Sequence, residues 1–196
     1  MNAFRLLHMV ARRGNARDFP ENSLAALRSA IELGARFIEI DVHLSSDGLP
    51  MVVHDRQLAR IANFEELPAA QLVRALKPVR SRCVLGSADL PTIHAARSQA
   101  GYPIAWVIPA YNDHTRLKYE ALQPDFLFCD RTFLPAAGAL WRGPWRWVVY
   151  EVDTLETVLA LAARGTHFVG TKDVRSLSEA MRRHAMSAAG RDDTLS

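Results

Sequence analysis

Cysteine is nearly absent from this chain. Only Cys83 and Cys129 occur among 196 residues, each inside an apolar run, Arg-Cys-Val-Leu and Leu-Phe-Cys-Asp. Two isolated thiols make neither a disulfide framework nor the paired spacing of a zinc site, so both read as small buried hydrophobes. Long apolar runs are missing as well. None approaches the ~18 residues that span a bilayer, and the opening Met-Asn-Ala-Phe-Arg-Leu-Leu-His has no long apolar core of a signal peptide, so the expected compartment is the cytoplasm. An excess of one charge is lacking too: 24 Lys and Arg face 21 Asp and Glu, a formal +3 with no long basic run. Nucleic acid is therefore not an expected partner. Repeats of fixed period and low-complexity tracts do not occur either, which excludes solenoids and argues against disorder.

What is present looks globular. Apolar residues make up 49% and charged residues 23%, near the averages for soluble domains. The length predicts one domain with a sizeable core over residues 1–186, followed by a flexible polar tail at 187–196. Leu6 to Ala11 reads as a strand, and Ser23 to Leu33 as a helix in which Leu24, Leu27, Ala30 and Ile31 recur at helical spacing before Gly34 stops it. Phe37 to Val42 is a second predicted strand. The turn Ser45-Ser46-Asp47-Gly48 leads on to Met51-Val52-Val53, too near for a helical crossover, so that segment is expected to fold back on the strand before it. A helical stretch from Leu67 to Leu76 precedes strand-like runs at Cys83 to Leu85, Ile104 to Ile108, Phe126 to Phe128, Trp147 to Val152 and Phe168 to Val169. Helical patterns at Leu90 to Ala100, His114 to Leu122 and Leu155 to Ala163 separate most of them, with Ser176 to Met186 last. Strand followed by helix, repeatedly, predicts a parallel α/β sheet.

Few residues are candidates for chemistry. Glu39 and Asp41 stand two apart on one predicted strand, so both side chains are expected on one face, amid Phe37, Ile38, Ile40 and Val42. Two carboxylates in such a setting need a cation, supplied either by a metal or by salt bridges. All-oxygen donors favour Mg²⁺ or Ca²⁺ over zinc. His54, ahead of Asp55, is expected to fold back towards them; it reads either as a general acid–base, since imidazole titrates near neutrality, or as an ordinary surface histidine. Arg12-Arg13-Gly14 closes the first strand with two guanidinium groups that either receive a phosphate or are simply solvated. Trp141, Trp145, Trp147 and Tyr150 read either as a stacking wall or as core packing.

Together these pieces resemble a known signature. The order Val10-Ala11-Arg12-Arg13-Gly14, Pro20-Glu21-Asn22-Ser23, Glu39-Ile40-Asp41-Val42, Asp47-Gly48 and His54-Asp55 with Leu58 and Arg60 is similar to the amino-terminal pattern of the glycerophosphodiester phosphodiesterase family. Trp147 to Asp153, Leu155 to Gly165 and His167 to Thr171 resemble the family's penultimate strand, the helix after it and its last strand. The resemblance implies a TIM-type (β/α) barrel that hydrolyses phosphodiesters to glycerol 3-phosphate and an alcohol with a divalent cation, Mg²⁺ or Ca²⁺. It implies His54 as one of two acid–base histidines, Arg13 as a phosphate contact, and Glu39 and Asp41 as metal ligands. These would lie at the carboxyl ends of strands, where barrel sites are built. A small phosphodiester or phosphomonoester is the implied ligand.

The chain departs from the family pattern at three points. Arg12 occupies the position of the first catalytic histidine, and a guanidinium stays protonated at neutral pH and cannot accept and return a proton. The strand that carries the family's third metal ligand and a lysine is not found; Ser81 to Leu90, ending Ser87-Ala88-Asp89, resembles the fourth strand and follows the His-Asp region almost directly. A typical barrel has about 250 residues, so this chain is roughly 50 short, which predicts an incomplete or distorted, seven-stranded barrel. An opened edge needs covering by a loop or by a second subunit, so an oligomer is one expectation. The last strand ends Thr171-Lys172 where the family has Thr-Asp. Glu151 reads as a salt-bridge or surface residue, or as a substitute metal ligand. The expected function is a metal-dependent phosphodiester hydrolase with reduced or lost activity; the alternative is a non-catalytic phosphate-binding module on the same fold.

Overall fold

A computed structural model describes residues 7–44, 50–52, 84–100 and 103–192. In chain order its strands are β1 (His8–Arg12), β2 (Phe37–Glu39), β3 (Val42–Leu44), β4 (Pro50–Val52), β5 (Leu85–Ser87), β6 (Ile104–Val107), β7 (Phe126–Asp130), β8 (Arg146–Tyr150) and β9 (Phe168–Thr171). The helices are α1 (Leu24–Glu32), α2 (Leu90–Ala100), α3 (Asp113–Leu122), α4 (Leu155–Ala163) and α5 (Val174–Asp192), with a 3₁₀ turn at Arg131–Phe133. The sequence reads as one domain over 1–186, whereas contacts gather about two compact units. One is built from both ends of the chain, Met1–Glu39 with Glu151–Ser196, and the other from Ile40–Tyr150.

In the terminal unit β1 lies between β2 and β9 and is parallel to both, with Val10 opposite Phe37, Arg12 opposite Glu39, and His8 to Ala11 opposite Phe168 to Thr171. Met9, Val10 and Ala11 are buried in succession, as are all four residues of β9. Continuous burial without alternation is the mark of a parallel strand covered on both faces. Ser23 caps α1, its Oγ accepting from the Ala26 amide at 3.2 Å, and Ala26, Ser29 and Ala30 form the buried side. The helix ends before Gly34, whose φ of +90° is a conformation that glycine takes without strain. Asp173 opens α5 by accepting from the Ser176 amide at 3.1 Å, and the Ser178 hydroxyl donates to the Leu33 carbonyl at 2.8 Å. The stretch from Ser187 that reads as a polar tail continues this helix through Asp192. Ala188 and Ala189 favour the helix despite the polar residues around them.

The middle unit carries four parallel strands in the order β5, β6, β7, β8, with Leu127 facing Trp106 on one side and Trp147 on the other. Its core is Ile104, Trp106, Leu127, Cys129, Trp147, Val148 and Val149. Burial pushes the Cys129 thiol up to about 12, so it behaves as a small apolar side chain, as the sequence suggests. The aromatic residues settle as packing. Tyr111 stacks on Trp141 at 3.8 Å, Tyr119 meets Trp145 edge-on at 4.3 Å, and the Trp147 indole donates to the Trp141 carbonyl at 3.0 Å. α3 is capped by Asn112, which accepts from the Thr115 amide at 2.8 Å.

The fold-back is present with a different partner. β4 runs antiparallel to β3, Val42 opposite Val52, not to β2. β2 ends at Glu39 because its neighbour β1 turns away one residue after Arg12, leaving Ile40 and Asp41 no parallel ladder to join. Parallel strands with intervening helices recur in both units, three strands in one and four in the other, the strand–helix order of an incomplete (β/α) barrel. His54, Asp47, Gly48 and the helix predicted from Leu67 to Leu76 lie outside the described residues.

Candidate functional site

The site grows from the segment between β1 and α1. Arg13 takes φ +57°, its amide donating to the Glu39 carbonyl at 2.8 Å and its carbonyl accepting from the Asn22 amide at 2.9 Å. Gly14 follows at φ +82°, where an added Cβ would lie 2.6 Å from the Ala26 backbone; only glycine lets the chain come this close to α1. Asn15 is wholly buried, with its amide nitrogen on Asp18 at 2.9 Å and on Ser29 at 3.1 Å, and its backbone N–H on the Ala26 carbonyl. Asp18 in turn accepts from Arg175 at 2.8 Å, and the hydrogen bonds from Arg175 and then Asn15 hold its carboxyl below the usual range. Arg17 donates its amide to the Lys172 carbonyl at 3.0 Å and lies 3.7 Å from Asp173. The segment is thus fixed at both ends, on α1 and on the start of α5.

Two guanidinium groups leave this frame in different company. Arg13 is 7% exposed and binds Glu21 at 2.9 Å. Arg12, its side chain 14% exposed, forms an ion pair with Glu151, and the Lys172 ammonium lies 3.8 Å from the same Glu151 oxygen. Arg12 closes β1, Glu151 follows β8 and Lys172 follows β9, so all three stand at carboxyl ends of strands, where α/β sites are assembled. Glu151 holds φ +60°. Four non-glycine residues among those described are left-handed, and three of them, Arg13, Asn22 and Glu151, surround this region. Each costs on the order of 1–3 kcal/mol unless its neighbours enforce it, and such residues concentrate at functional sites.

The predicted site residues are therefore distributed as follows. Arg12 and Arg13 are neighbours in sequence with separate carboxylate partners, Glu151 and Glu21. Glu39 stands opposite Arg12 in register at the end of β2. Asp41 lies past the end of that strand and belongs to the other unit, so the alternation that would align it with Glu39 does not apply. His54 is outside the described residues. Glu151 is the residue whose part the sequence left undecided. Its signal was a carboxylate placed in the apolar run from Trp147 to Val152, and its role is the salt bridge.

A metal centre does not emerge from these residues alone. Among the described residues no three His, Cys, Asp or Glu side chains come together to hold an ion. Mg²⁺ and Ca²⁺ require about six or more oxygen donors, and the Glu151 carboxylate is engaged by two cations. The described donor set therefore does not fit a divalent cation. Among the described residues no helix is long and apolar enough to cross a membrane.

Comparison with known proteins sets this geometry in a lineage. A glycerophosphodiester phosphodiesterase of Caldanaerobacter subterraneus subsp. tengcongensis is 46% identical over 57 residues, 29% of this chain and 24% of that protein. Glycerophosphodiester phosphodiesterase 1 of Homo sapiens is 45% identical over 51 residues, 26% of this chain and 15% of that one. The match thus spans a quarter or less of the length of either curated relative. Among solved structures, an Oleispira antarctica phosphodiesterase in complex with the product sn-glycerol-3-phosphate superposes with a TM-score of 0.71 at 17% identity, over 93% of this chain and 100% of that one. The Thermotoga maritima glycerophosphodiester phosphodiesterase gives 0.64 at 18% identity, over 86% and 96%. These likenesses establish the barrel-type fold. The model of the glycerophosphoryl diester phosphodiesterase family matches residues 13–190, from Arg13 beside the Arg12 ion pair to the last helix, and the chain belongs to that family.

Proposed function

We propose that this protein binds a small glycerophosphodiester or glycerol phosphate at the strand ends of its terminal unit, and that hydrolysis of the diester is slow or lost. The observation that carries the reading is the Arg12–Glu151 ion pair at the position where the family pattern has a proton-transferring histidine. A guanidinium attracts a phosphate oxygen and orients it, but it does not shuttle protons. The Oleispira antarctica relative, solved with sn-glycerol-3-phosphate, supports the ligand class. In this proposal Arg12 and Lys172 face the phosphate, while Arg13 acts through the strand-end segment that its bond to Glu21 steadies. His54 is the proposed remaining proton carrier. Glu39 and Asp41 are given no metal role in this reading, and no step is routed through a divalent cation.

Loss of one of two acid–base groups lowers a rate by about 10² to 10⁴. The test is hydrolysis of glycerophosphocholine followed by phosphorus NMR with Mg²⁺, Ca²⁺ or chelator, alongside calorimetric binding of sn-glycerol 3-phosphate. Binding with turnover that is weak, abolished by His54→Ala and raised by Arg12→His is the expected result. Rapid turnover indifferent to His54→Ala, or no binding by a folded sample, overturns it. The second reading, a binding module without chemistry, is favoured by the two cations that converge on Glu151; its outcome is metal-independent binding with no turnover even after Arg12→His.

A further inference from the structure

Two departures from the family pattern, Arg12 and Lys172, are far apart in sequence yet meet at one carboxylate, that of Glu151. The cluster is half-open to water: the Arg12 side chain is 14% exposed, and those of Glu151 and Lys172 are each 40% exposed. A carboxylate and a phosphate make the same demand of a guanidinium, two charge-assisted acceptors in its plane. Glu151 thus occupies the kind of place that an anionic ligand takes. Its backbone points the same way. At φ +60° glycine or asparagine would be less strained, so the turn itself gains nothing from a glutamate, and what Glu151 adds there is its charged side chain.

We infer that Glu151 sets which phosphate charge this site accepts. The inference rests on the reading that a phosphate ligand binds here. Arg12 and Lys172 contribute two positive charges and Glu151 returns one, so these three groups leave a single positive charge for the ligand. Arg13 and Glu21 offset each other, as do Arg17 and Asp173, and Glu39 in register with Arg12 lowers the total further, so no second positive charge is left for a ligand. That balance suits a phosphodiester, which carries one negative charge. It opposes a phosphomonoester, which carries nearly two near neutral pH because its second proton leaves at about 6. The product-like monoester is therefore held more weakly than the diester by the intact protein, and neutralising Glu151 removes the discrimination.

The experiment compares two probes by calorimetry at about pH 8: sn-glycerol 3-phosphate, the dianion, and glycerophosphoglycerol, a diester with a single charge. The wild-type protein is expected to prefer the diester. Glu151→Gln, which keeps size and removes charge, should raise monoester affinity about tenfold and diester affinity much less, one order of magnitude being the scale of one removed like charge. Glu151→Asn, better suited to a positive φ, serves if the glutamine variant folds poorly, and Lys172→Gln should move the ratio the opposite way. Both probes binding with a diester-to-monoester ratio unchanged by all three substitutions overturns the inference and leaves the phosphate site standing. Neither probe binding the folded wild-type protein overturns both.

Discussion

The two units of the molecule bury different kinds of residue. The middle unit buries hydrocarbon and rings: Trp147 is 2% exposed, Leu127 and Cys129 are wholly enclosed, and five aromatic side chains from Tyr111 to Trp147 stack or tilt against one another. In the terminal unit Arg13, Asn15, Ser29, Thr166, Thr171 and Asp173 are buried beside the apolar strands, and the backbone at Arg13, Asn22 and Glu151 takes the left-handed conformation. Burying polar groups and strained backbone lowers stability unless each group is matched, as the Asn15 side-chain nitrogen is by Asp18 and Ser29. The contrast is one of materials: one unit packs rings and hydrocarbon, the other holds polar and charged groups at fixed positions.

Substitutions can break that contrast or sharpen it. The largest loss is expected from Trp147→Ala, which empties an aromatic core and removes the bond to the Trp141 carbonyl; about 3–5 kcal/mol should go, measured by chemical denaturation. Binding of sn-glycerol 3-phosphate by the folded fraction should not change, and a parallel fall in affinity would erase the distinction between the units. Gly14→Ala comes next. Its Cβ would meet the Ala26 backbone at 2.6 Å in a left-handed conformation, whereas Gly34→Ala at φ +90° has nothing within 4 Å. The first should cost about 2–4 kcal/mol and weaken ligand binding, the second about 1 kcal/mol with affinity intact; equal effects would mean that strain alone, not the close approach, governs the segment. The smallest effect is alkaline. Burial raises both the Cys129 thiol and the Tyr119 hydroxyl to about 12, so the unfolded chain sheds these protons at lower pH than the folded one. Stability is then full at neutral pH and falls as pH rises from about 9 towards about 12, by about 1 kcal/mol at pH 9.5 for the thiol. Denaturation midpoints at pH 7 and 9.5 check this, and Cys129→Ala should flatten the slope.

Legibility in the sequence followed the range of the forces involved. Leu90–Ala100 and Leu155–Ala163 are helices at the residues that periodicity marked, because spacing and caps are local signals. The strand predicted through Val42 stops at Glu39, since its length depends on β1, which turns at Arg13; no pattern within residues 37–42 encodes a neighbour's turn. The polar run after Met186 signals a tail by its polarity, whereas its alanines favour the helix that continues. At the site, the resemblance pointed to Arg12, Arg13 and Glu39, and the structure put them at strand ends. It could not pair Arg12 with Glu151, because 139 residues separate them and the contact exists only once β1 and β9 are side by side.

That pairing of first strand with last also fixes when the site can exist during synthesis. β1 is made before the strands it pairs with and gains β2 within a few dozen residues, but its other flank waits for Phe168 to Thr171. At about 5–20 residues per second the delay is on the order of ten to thirty seconds. Throughout that interval Arg12 has neither Glu151 nor Lys172 beside it, and β1 presents an open, apolar edge of the kind that chaperones recognise. The nascent chain is therefore exposed to misassembly along the strand that later carries Arg12, and a chain that ends before residue 172 lacks the Lys172 arm of the cluster on Glu151.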